Sequence, residues 1–283
     1  MLKRIIWLFG SLLVGAFDWF RAGIGRLFGQ QQSSTCVVLA YHSVLPNERA
    51  NFARQMDDLL RHAKPVRADL KKLPEDNARY AAVTFDDGLE NIIENALPEL
   101  NRKKIPATLF IVTDVLGTRP AWEYFGGDDP SQHRVMSEQQ LRGLPSDYLT
   151  IGSHSATHPV LPDTDDDHLG EELVGSRRKL EAMLNRQVSL FSFPYGYFNK
   201  RVVESCREAG YDRVFTALPV LAFTQSDEFV TGRVGVTPND WPLEFRLKIL
   251  GAYRWLPFAF SLKRKALAVL RGRSDATLGL KAS

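Results

Sequence analysis

Cysteine is nearly absent from this 283-residue chain, which contains only Cys36 and Cys206. Two cysteines cannot build a disulfide framework or a cysteine-based zinc site, so both classes of small stabilised domain are excluded. Histidine is also scarce, and its six residues can be weighed one by one. The chain is 44% hydrophobic and 24% charged, which is ordinary for a globular protein. Its length suits one large domain, and α/β barrels commonly have this size.

The N-terminus lacks the ~20 consecutive apolar residues that a membrane-spanning helix needs. Its apolar run covers residues 5–17, follows the cationic residues 1–4 and ends at Asp18. No small-residue cleavage site follows, and apolar residues continue at helical spacing to Phe28. We interpret residues 1–30 as an uncleaved amphipathic or signal-anchor helix that makes the protein membrane-associated. A cleaved signal peptide is the alternative.

Charge is unevenly distributed, although the net charge is only +3. From Phe245 to Ser274 there are eight basic residues and no acid, which leaves 28 basic and 33 acidic residues, a net charge of −5, elsewhere. Apolar residues interleave with this basic stretch, a pattern that favours a membrane surface over nucleic acid as its partner. A solvated terminal helix has the same composition. Residues 251–283 are therefore predicted to form a basic amphipathic tail behind a folded domain at 35–250.

Strand and helix patterns alternate along the folded domain. Predicted strands lie near 36–41, 81–85, 107–112, 148–152, 188–193, 214–217 and 229–236. Predicted helices lie near 47–63, 89–104 with a kink at Pro98, 165–185 and 202–209, with a capping box at Ser137. This alternation predicts parallel strands wrapped by helices. A long irregular stretch from Gly117 to Val135 has the length of an active-site lid.

Chemically active side chains follow the predicted strands. In α/β barrels the working residues lie at the carboxyl ends of the strands. Six residues here occupy such positions: His42, Asp86, Asp87, His154, His158 and Tyr195.

Asp86 and Asp87 end the strand around which the chain is organised. Gly88 permits a turn that directs both carboxylates into one cleft, whereas a regular strand would point them to opposite faces. Two close carboxylates repel each other, so a cation, a proton or solvent must relieve them. Two solvated turn aspartates are the alternative.

His154 and His158 are four residues apart, which stacks their imidazoles if the segment forms one helical turn before Pro159. Two histidines and one aspartate with an open position are the composition of a catalytic zinc site. Nitrogen and oxygen ligands also accept Co, Ni, Fe or Mn. Taken alone, such a pair can equally be uninvolved in metal binding.

Three motifs in register resemble the polysaccharide deacetylases, the NodB-homology group of carbohydrate esterase family 4. They are Thr84-Phe85-Asp86-Asp87-Gly88, His154-Ser155-Ala156-Thr157-His158 and Phe193-Pro194-Tyr195-Gly196. The resemblance covers about residues 36–245. It implies a distorted (β/α)7-type barrel, to which the composition of the termini adds apolar and basic helical extensions at both ends. It also implies metal-dependent hydrolysis of N-acetyl groups from N-acetylated sugars of a polysaccharide or glycan precursor.

The resemblance also implies residue roles. Asp87, His154 and His158 would hold the divalent metal, most simply zinc. Asp86 would be the general base that takes a proton from the attacking water. The backbone N–H of Tyr195 would face the developing oxyanion.

Two departures from the family pattern lead to further expectations. Ser192 stands where members often have an arginine that contacts the base, and we expect Arg233 to replace it as the partner of Asp86. No histidine follows His168, although members often have a C-terminal one as general acid. We assign that role to His42, which is placed like the histidine of a subgroup with an N-terminal Tyr-His motif. A core histidine capping a strand is the alternative.

Two other functions remain open at this stage. The departures are compatible with a catalytically idle glycan-binding or scaffold protein. The apolar termini are compatible with a metal hydrolase acting on another small amide or a lipid-linked sugar.

Overall fold

The computed structural model describes residues 1–28, 33–122, 133–145 and 147–262. Its helices are α1 (Leu2–Leu27), α2 (Arg49–His62), α3 (Asn91–Asn95), α4 (Leu97–Lys103), α5 (Glu138–Arg142), α6 (Asp166–Gly170), α7 (Ser176–Leu184), α8 (Lys200–Glu208) and α9 (Pro242–Ile249). Its strands are β1 (Thr35–Tyr41), β2 (Lys64–Pro65), β3 (Arg79–Phe85), β4 (Ala107–Ile111), β5 (Leu149–Ser153), β6 (Leu190–Ser192), β7 (Arg213–Phe215), β8 (Val230–Thr231) and β9 (Val234–Gly235).

The strands form one parallel sheet in the order β8-β7-β6-β5-β4-β3-β1-β9, with β2 paired to the start of β3. Side chains alternate between two apolar clusters along β1. Val37 and Leu39 pack with helices outside the sheet, while Cys36 and Val38 pack inside with side chains of other strands. The predicted parallel barrel-type fold is confirmed.

The two edges of the sheet meet through one short link. β8 pairs with β7 and β9 pairs with β1, yet only Gly232 and Arg233 separate β8 from β9. A link of three residue steps spans at most about 11 Å. The sheet is therefore curled until its edges are neighbours. The single strand predicted at 229–236 is wrong, because this segment leaves one edge and joins the other.

Most other element predictions are confirmed. The helix expected at 89–104 is divided into α3 and α4. The division falls at Ala96, whose φ of −116° interrupts the helical backbone, and Pro98 lies in the first turn of α4. The capping box is present, with Gln140 N–H donating to Ser137 Oγ and Ser137 N–H donating to Gln140 Oε1. β2 was not predicted, because two residues carry no periodic signal.

Helix α1 extends well beyond the apolar run that the sequence delimits. Residues Leu2–Gly25 are long and apolar enough to cross a membrane by length and composition. The helix also packs against the folded domain next to α9. The predicted basic tail beyond residue 262, and most of the predicted lid, lie outside the described residues.

Candidate active site

The backbone changes direction immediately after β3. Asp87 and Gly88 have φ values of +69° and +65°, in the left-handed region. A Cβ at Gly88 would lie 2.9 Å from Ile111 Cδ1, so glycine is needed both for this turn and for the close approach of β4. The turn directs Asp86 and Asp87 towards different partners, and both side chains are buried.

Asp86 is held by a two-pronged contact with Arg233. The guanidinium donates from Nη1 to Oδ1 and from Nη2 to Oδ2, each at 2.7 Å. Ser192 Oγ donates to Oδ2 at 3.3 Å. Burial alone would raise the pKa of Asp86, but the positive charges of Arg233 and His154 outweigh it and hold the pKa below its ordinary value. Asp86 is therefore ionised at neutral pH.

Arg233 is itself enclosed, with 2% of its surface exposed. Besides Asp86 it donates to the hydroxyls of Thr84 and Ser192 at 3.0 and 2.7 Å, and to the carbonyl of Thr216 at 3.2 Å. A small hydroxyl at Ser192 leaves room for a guanidinium that enters from the link between β8 and β9. The planar donor fork matches a carboxylate in a way that lysine cannot reproduce.

Asp87 faces the two histidines instead. Its Oδ1 lies 3.5 Å from His154 Nε2 and 3.3 Å from His158 Nε2. The possible ligand atoms of these three buried residues lie within 4.8 Å of one another. Among the described residues, they form the cluster of side chains that could hold a metal ion. Burial would raise the pKa of Asp87, but the adjacent imidazoles of His154 and His158 keep the pKa well below its ordinary value.

The imidazole of His154 has a fixed orientation. Its Nδ1 lies 2.8 Å from the carbonyl oxygen of Ser192, so Nδ1–H donates there and the Nε2 lone pair points towards Asp87. Burial would lower the pKa of His154, but Asp86 and Asp87 raise it. The same concentration of negative charge favours a divalent cation at this position.

His158 is held between aromatic rings. Trp122 stacks on it with ring centroids 4.3 Å apart, and Tyr195 makes an edge contact at 4.6 Å. Burial lowers its pKa, which favours the neutral imidazole that a metal ligand must be. The helical turn predicted for this segment is wrong. Ser155 and His158 have φ values of +70° and +65°, so a non-helical loop brings the two rings together.

Glu172 holds this histidine loop in place and was missed as a functional residue. Its Oε2 accepts from the backbone N–H groups of Ala156 and Thr157 at 2.8 and 2.9 Å, and its Oε1 accepts from Thr157 Oγ1 at 2.5 Å. It lies in a π-helical segment, Glu171–Gly175, between α6 and α7. The signal was present in the sequence, since Glu172 shares helical spacing with the inward residues Leu169 and Leu173.

His42 and Tyr195 both lie near the aspartate and histidine cluster. The N–H of Asp86 donates to the carbonyl of Tyr41 at 2.9 Å, so His42 and Asp86 leave neighbouring strands at the same level. His42 is exposed. Its charge lowers the pKa of both aspartates, although burial and nearer partners have larger effects on these pKa values. Tyr195 has a φ of +58°, an uncommon conformation for a tyrosine that is typical of functional sites.

The donor set fits a divalent metal. Asp87 Oδ1 is buried and has no hydrogen-bond partner among the described residues, a costly arrangement unless a cation satisfies it. Two imidazole nitrogens and one carboxylate oxygen match the three protein ligands of a catalytic site. The fold and this site together define an α/β barrel with a candidate metal centre beside an ionised carboxylate.

Comparison with known proteins identifies the family. A sequence model described as polysaccharide deacetylase matches residues 74–214. This chain belongs to the polysaccharide deacetylase family. A structure of IcaB from Ammonifex degensii is 26% identical with a TM-score of 0.63, covering 77% of this chain and 98% of that one. The Streptococcus pyogenes deacetylase PplD, solved in complex with acetate, shows the same fold at 17% identity, with a TM-score of 0.63 and coverage of 77% and 99%.

Two curated relatives are similar over shorter regions. A peptidoglycan-N-acetylglucosamine deacetylase of Bacillus cereus is 25% identical over 139 residues, which are 49% of this chain and 56% of the relative. A poly-beta-1,6-N-acetyl-D-glucosamine N-deacetylase of Staphylococcus aureus is 25% identical over 165 residues, 57% of this chain and 56% of the relative. The chain thus spans about half the length of the curated relatives it matches.

Replacing Glu172 is expected to weaken metal binding. In Glu172→Gln the amide group cannot accept all three hydrogen bonds, so the loop carrying both histidines loses its anchor. We expect the metal dissociation constant to rise about 10- to 100-fold, the usual effect of losing a group that orients a ligand. Zinc titration of the metal-free protein measures this. The exposed neighbour provides the control, Glu171→Gln. Equal affinities in the two variants would exclude the positioning role.

Proposed function

We propose that this protein hydrolyses N-acetyl groups from N-acetylated sugars of a polysaccharide or glycan precursor, releasing acetate, with a divalent metal that is most simply zinc. The observation that carries the proposal is that two carboxylates adjacent in sequence have different partners. Asp86 is ion-paired with Arg233, while Asp87 faces His154 and His158. Family membership supports it, as do relatives named for deacetylating N-acetylglucosamine polymers.

Each side chain has a distinct part in the proposed reaction. Asp87, His154 and His158 would hold a divalent metal, which would supply Lewis-acid polarisation and a lower pKa for water. Asp86 takes a proton from the attacking water, whose oxygen bonds to the acetyl carbon. The backbone N–H of Tyr195 stabilises the negative charge on the carbonyl oxygen.

Bond cleavage requires an acid as well as a base. As the carbon–nitrogen bond breaks, protonated His42 gives a proton to the departing sugar amine, and acetate is left. Arg233 keeps Asp86 ionised before each turnover, because removing that charge next to a guanidinium is unfavourable. The role of His42 matches the subgroup with an N-terminal Tyr-His motif, and this assignment is part of the proposal.

The proposal is tested by measuring acetate release from β-1,4- and β-1,6-linked N-acetylglucosamine oligomers with zinc or cobalt. We expect His42→Ala to lower release about 10²- to 10⁴-fold, the usual contribution of a general acid. His42 is exposed, so its removal leaves the core intact. His168→Ala is the control, since His168 is also exposed and pairs with Asp165 at the surface.

The outcomes separate the alternatives. Equal release by His42→Ala and wild type would exclude His42 as the acid. Release from soluble amides with none from sugars would favour a small-amide hydrolase. No release from any of these substrates with either metal would favour a glycan-binding protein.

We also propose that the protein is membrane-associated through α1. The proposal is supported by the length and apolar composition of Leu2–Gly25, in which only 6% of the residues of an 18-residue apolar window are buried. Several large apolar side chains of this helix are exposed to solvent, an arrangement that marks interaction surfaces.

A further inference from the structure

We propose that α1 binds a bilayer of anionic lipid while lying in the plane of its surface, still docked along the barrel, and does not cross it. This deepens the membrane association proposed above and is independent of the proposed chemistry. The distinction matters because the same helix is long enough to span a bilayer when considered alone.

One face of α1 is fixed to the domain by polar contacts. Arg4 Nε donates to Glu244 Oε2 at 2.6 Å near the start of the helix. Ser11 Oγ accepts from Trp255 Nε1 at 3.0 Å in the middle. Asp18 accepts from both terminal nitrogens of Arg254 at 2.6 and 2.7 Å. These contact positions recur at intervals of seven residues, which is two helical turns.

Small residues bring this face close to the barrel. A side chain at Gly10 would collide with the ring of Trp255, and a Cβ at Gly15 would lie 3.9 Å from the Cβ of Ala252. Ser11 between them is fully buried. The contact is therefore close-packed as well as polar. This is expected for a helix docked on the domain and not for a helix that is surrounded by lipid.

Length excludes a spanning orientation as long as these contacts hold. The contacts run from Arg4 to Asp18, about 21 Å along a helix that rises 1.5 Å per residue. Only residues 19–27, about 13 Å, are then clear of the last of them. A bilayer core is ~30 Å thick. A docked α1 can only lie along the membrane.

Undocking would also be electrostatically unfavourable. Glu244 is 5% exposed and shares its cations, Arg4 and Lys248, with Asp240. Withdrawing Arg4 would leave Lys248 with two buried acids. Asp18 would leave Arg254 and bring a charge into hydrocarbon.

The opposite face of α1 has the chemistry of an interfacial helix. Its exposed apolar residues include Ile5, Phe9, Leu13, Phe17, Phe20 and Ile24. Asp18 is the only acid of α1 and is already paired, while Arg21 is exposed. An exposed apolar face with an exposed cation on the same helix is complementary to an anionic lipid surface.

The apolar surface continues beyond α1. Trp7 contacts Phe260 with ring centroids 5.7 Å apart, which places residues 256–262 beside the helix. Phe258 and Leu262 of that segment are 68% and 52% exposed. In the sequence this segment is followed directly by Lys263, Arg264 and Lys265, whose charge favours anionic lipid.

A disulfide lock tests whether α1 binds while docked. The 3.9 Å between Cβ positions at Gly15 and Ala252 suits a disulfide. The native Cys36 and Cys206 are buried and should not interfere. We expect oxidised Gly15→Cys/Ala252→Cys to co-sediment with phosphatidylglycerol–phosphatidylcholine vesicles as well as its reduced form. Binding lost on oxidation and regained on reduction would overturn the proposal, because α1 would have to leave the barrel. Failure of the disulfide to form would also overturn it.

A second comparison tests the lipid-facing surface. Leu13→Glu is expected to weaken binding to these vesicles at least about tenfold, since it removes one leucine side chain that would enter the lipid and adds a charge that anionic lipid repels. Leu60→Glu, an exposed leucine on α2, is the control. Wild type should bind pure phosphatidylcholine vesicles more weakly.

Three results would contradict an anionic-lipid surface. The first is equal vesicle binding by Leu13→Glu and wild type, and the second is equal binding of wild type to neutral and anionic vesicles. The third is a dimer, seen by ultracentrifugation, that dissociates in Leu13→Glu while vesicle binding stays unchanged. Acetate release from soluble oligomers should be unchanged in Leu13→Glu. Failure of the lipid proposal is thereby distinguishable from failure of the deacetylase proposal.

Discussion

Asp86→Asn is expected to lower acetate release about 10²- to 10⁴-fold while leaving metal affinity nearly unchanged. The factor is the usual contribution of a general base. Asparagine has almost the same shape, and its carbonyl oxygen still accepts from Arg233, but it cannot take a proton from water. Metal affinity should persist because the proposed ligands are Asp87, His154 and His158 and not the substituted residue.

The measurement combines acetate release with zinc titration of the same preparation. Asp167→Asn, at an exposed position on α6, controls for the loss of one carboxylate. Because Arg233 would lose its charged partner, a lower melting temperature is expected, and binding of zinc shows that the variant is folded. Full activity in Asp86→Asn would remove Asp86 as the base. A large loss of metal affinity would instead move it among the ligands.

Loss of a metal ligand is expected to have the second large effect. In His154→Ala the imidazole nitrogen facing Asp87 is gone, so zinc affinity should fall more than the about 100-fold seen when only an orienting group is lost. Acetate release should fall with it. Wild-type protein stripped of metal by a chelator should also lose activity and recover it when zinc is added.

Thermal unfolding gives a readout that does not depend on activity. A ligand present at 100 times its dissociation constant stabilises the folded protein by about 2.7 kcal/mol, which corresponds to a rise of roughly 5–10 °C in melting temperature for a domain of this size. We expect this rise for wild type with zinc and none for His154→Ala. His168→Ala, which replaces an exposed histidine, should respond like wild type. A shift that persists in His154→Ala would place the metal elsewhere.

The position of site residues along the chain was predictable because parallel strands bring their carboxyl ends to one edge. Asp86, Asp87 and His154 follow strands directly, and the structure gathers them at that edge. Apart from the two-residue strand β2, the element pattern from β1 to β7 followed from apolar runs and their alternation with helices.

Other features depend on tertiary contacts that no local pattern encodes. The loop from His154 to His158 is not helical, because Glu172, distant in sequence, satisfies its backbone N–H groups. Periodicity likewise could not divide the segment at 229–236, since its two halves pair with opposite edges of the sheet.

In the proposed mechanism, the link between β8 and β9 makes activity depend on completion of the fold. Arg233 lies on the two-residue connection between the sheet's edges, whereas its partner Asp86 lies on a strand made much earlier during synthesis. A nascent chain that has not yet emerged past this connection lacks the guanidinium, and its carboxylate has no fixed counter-charge. Hydrolysis would therefore begin only after β9 has paired with β1. An incomplete or truncated chain should lack activity even if its metal ligands are already in place.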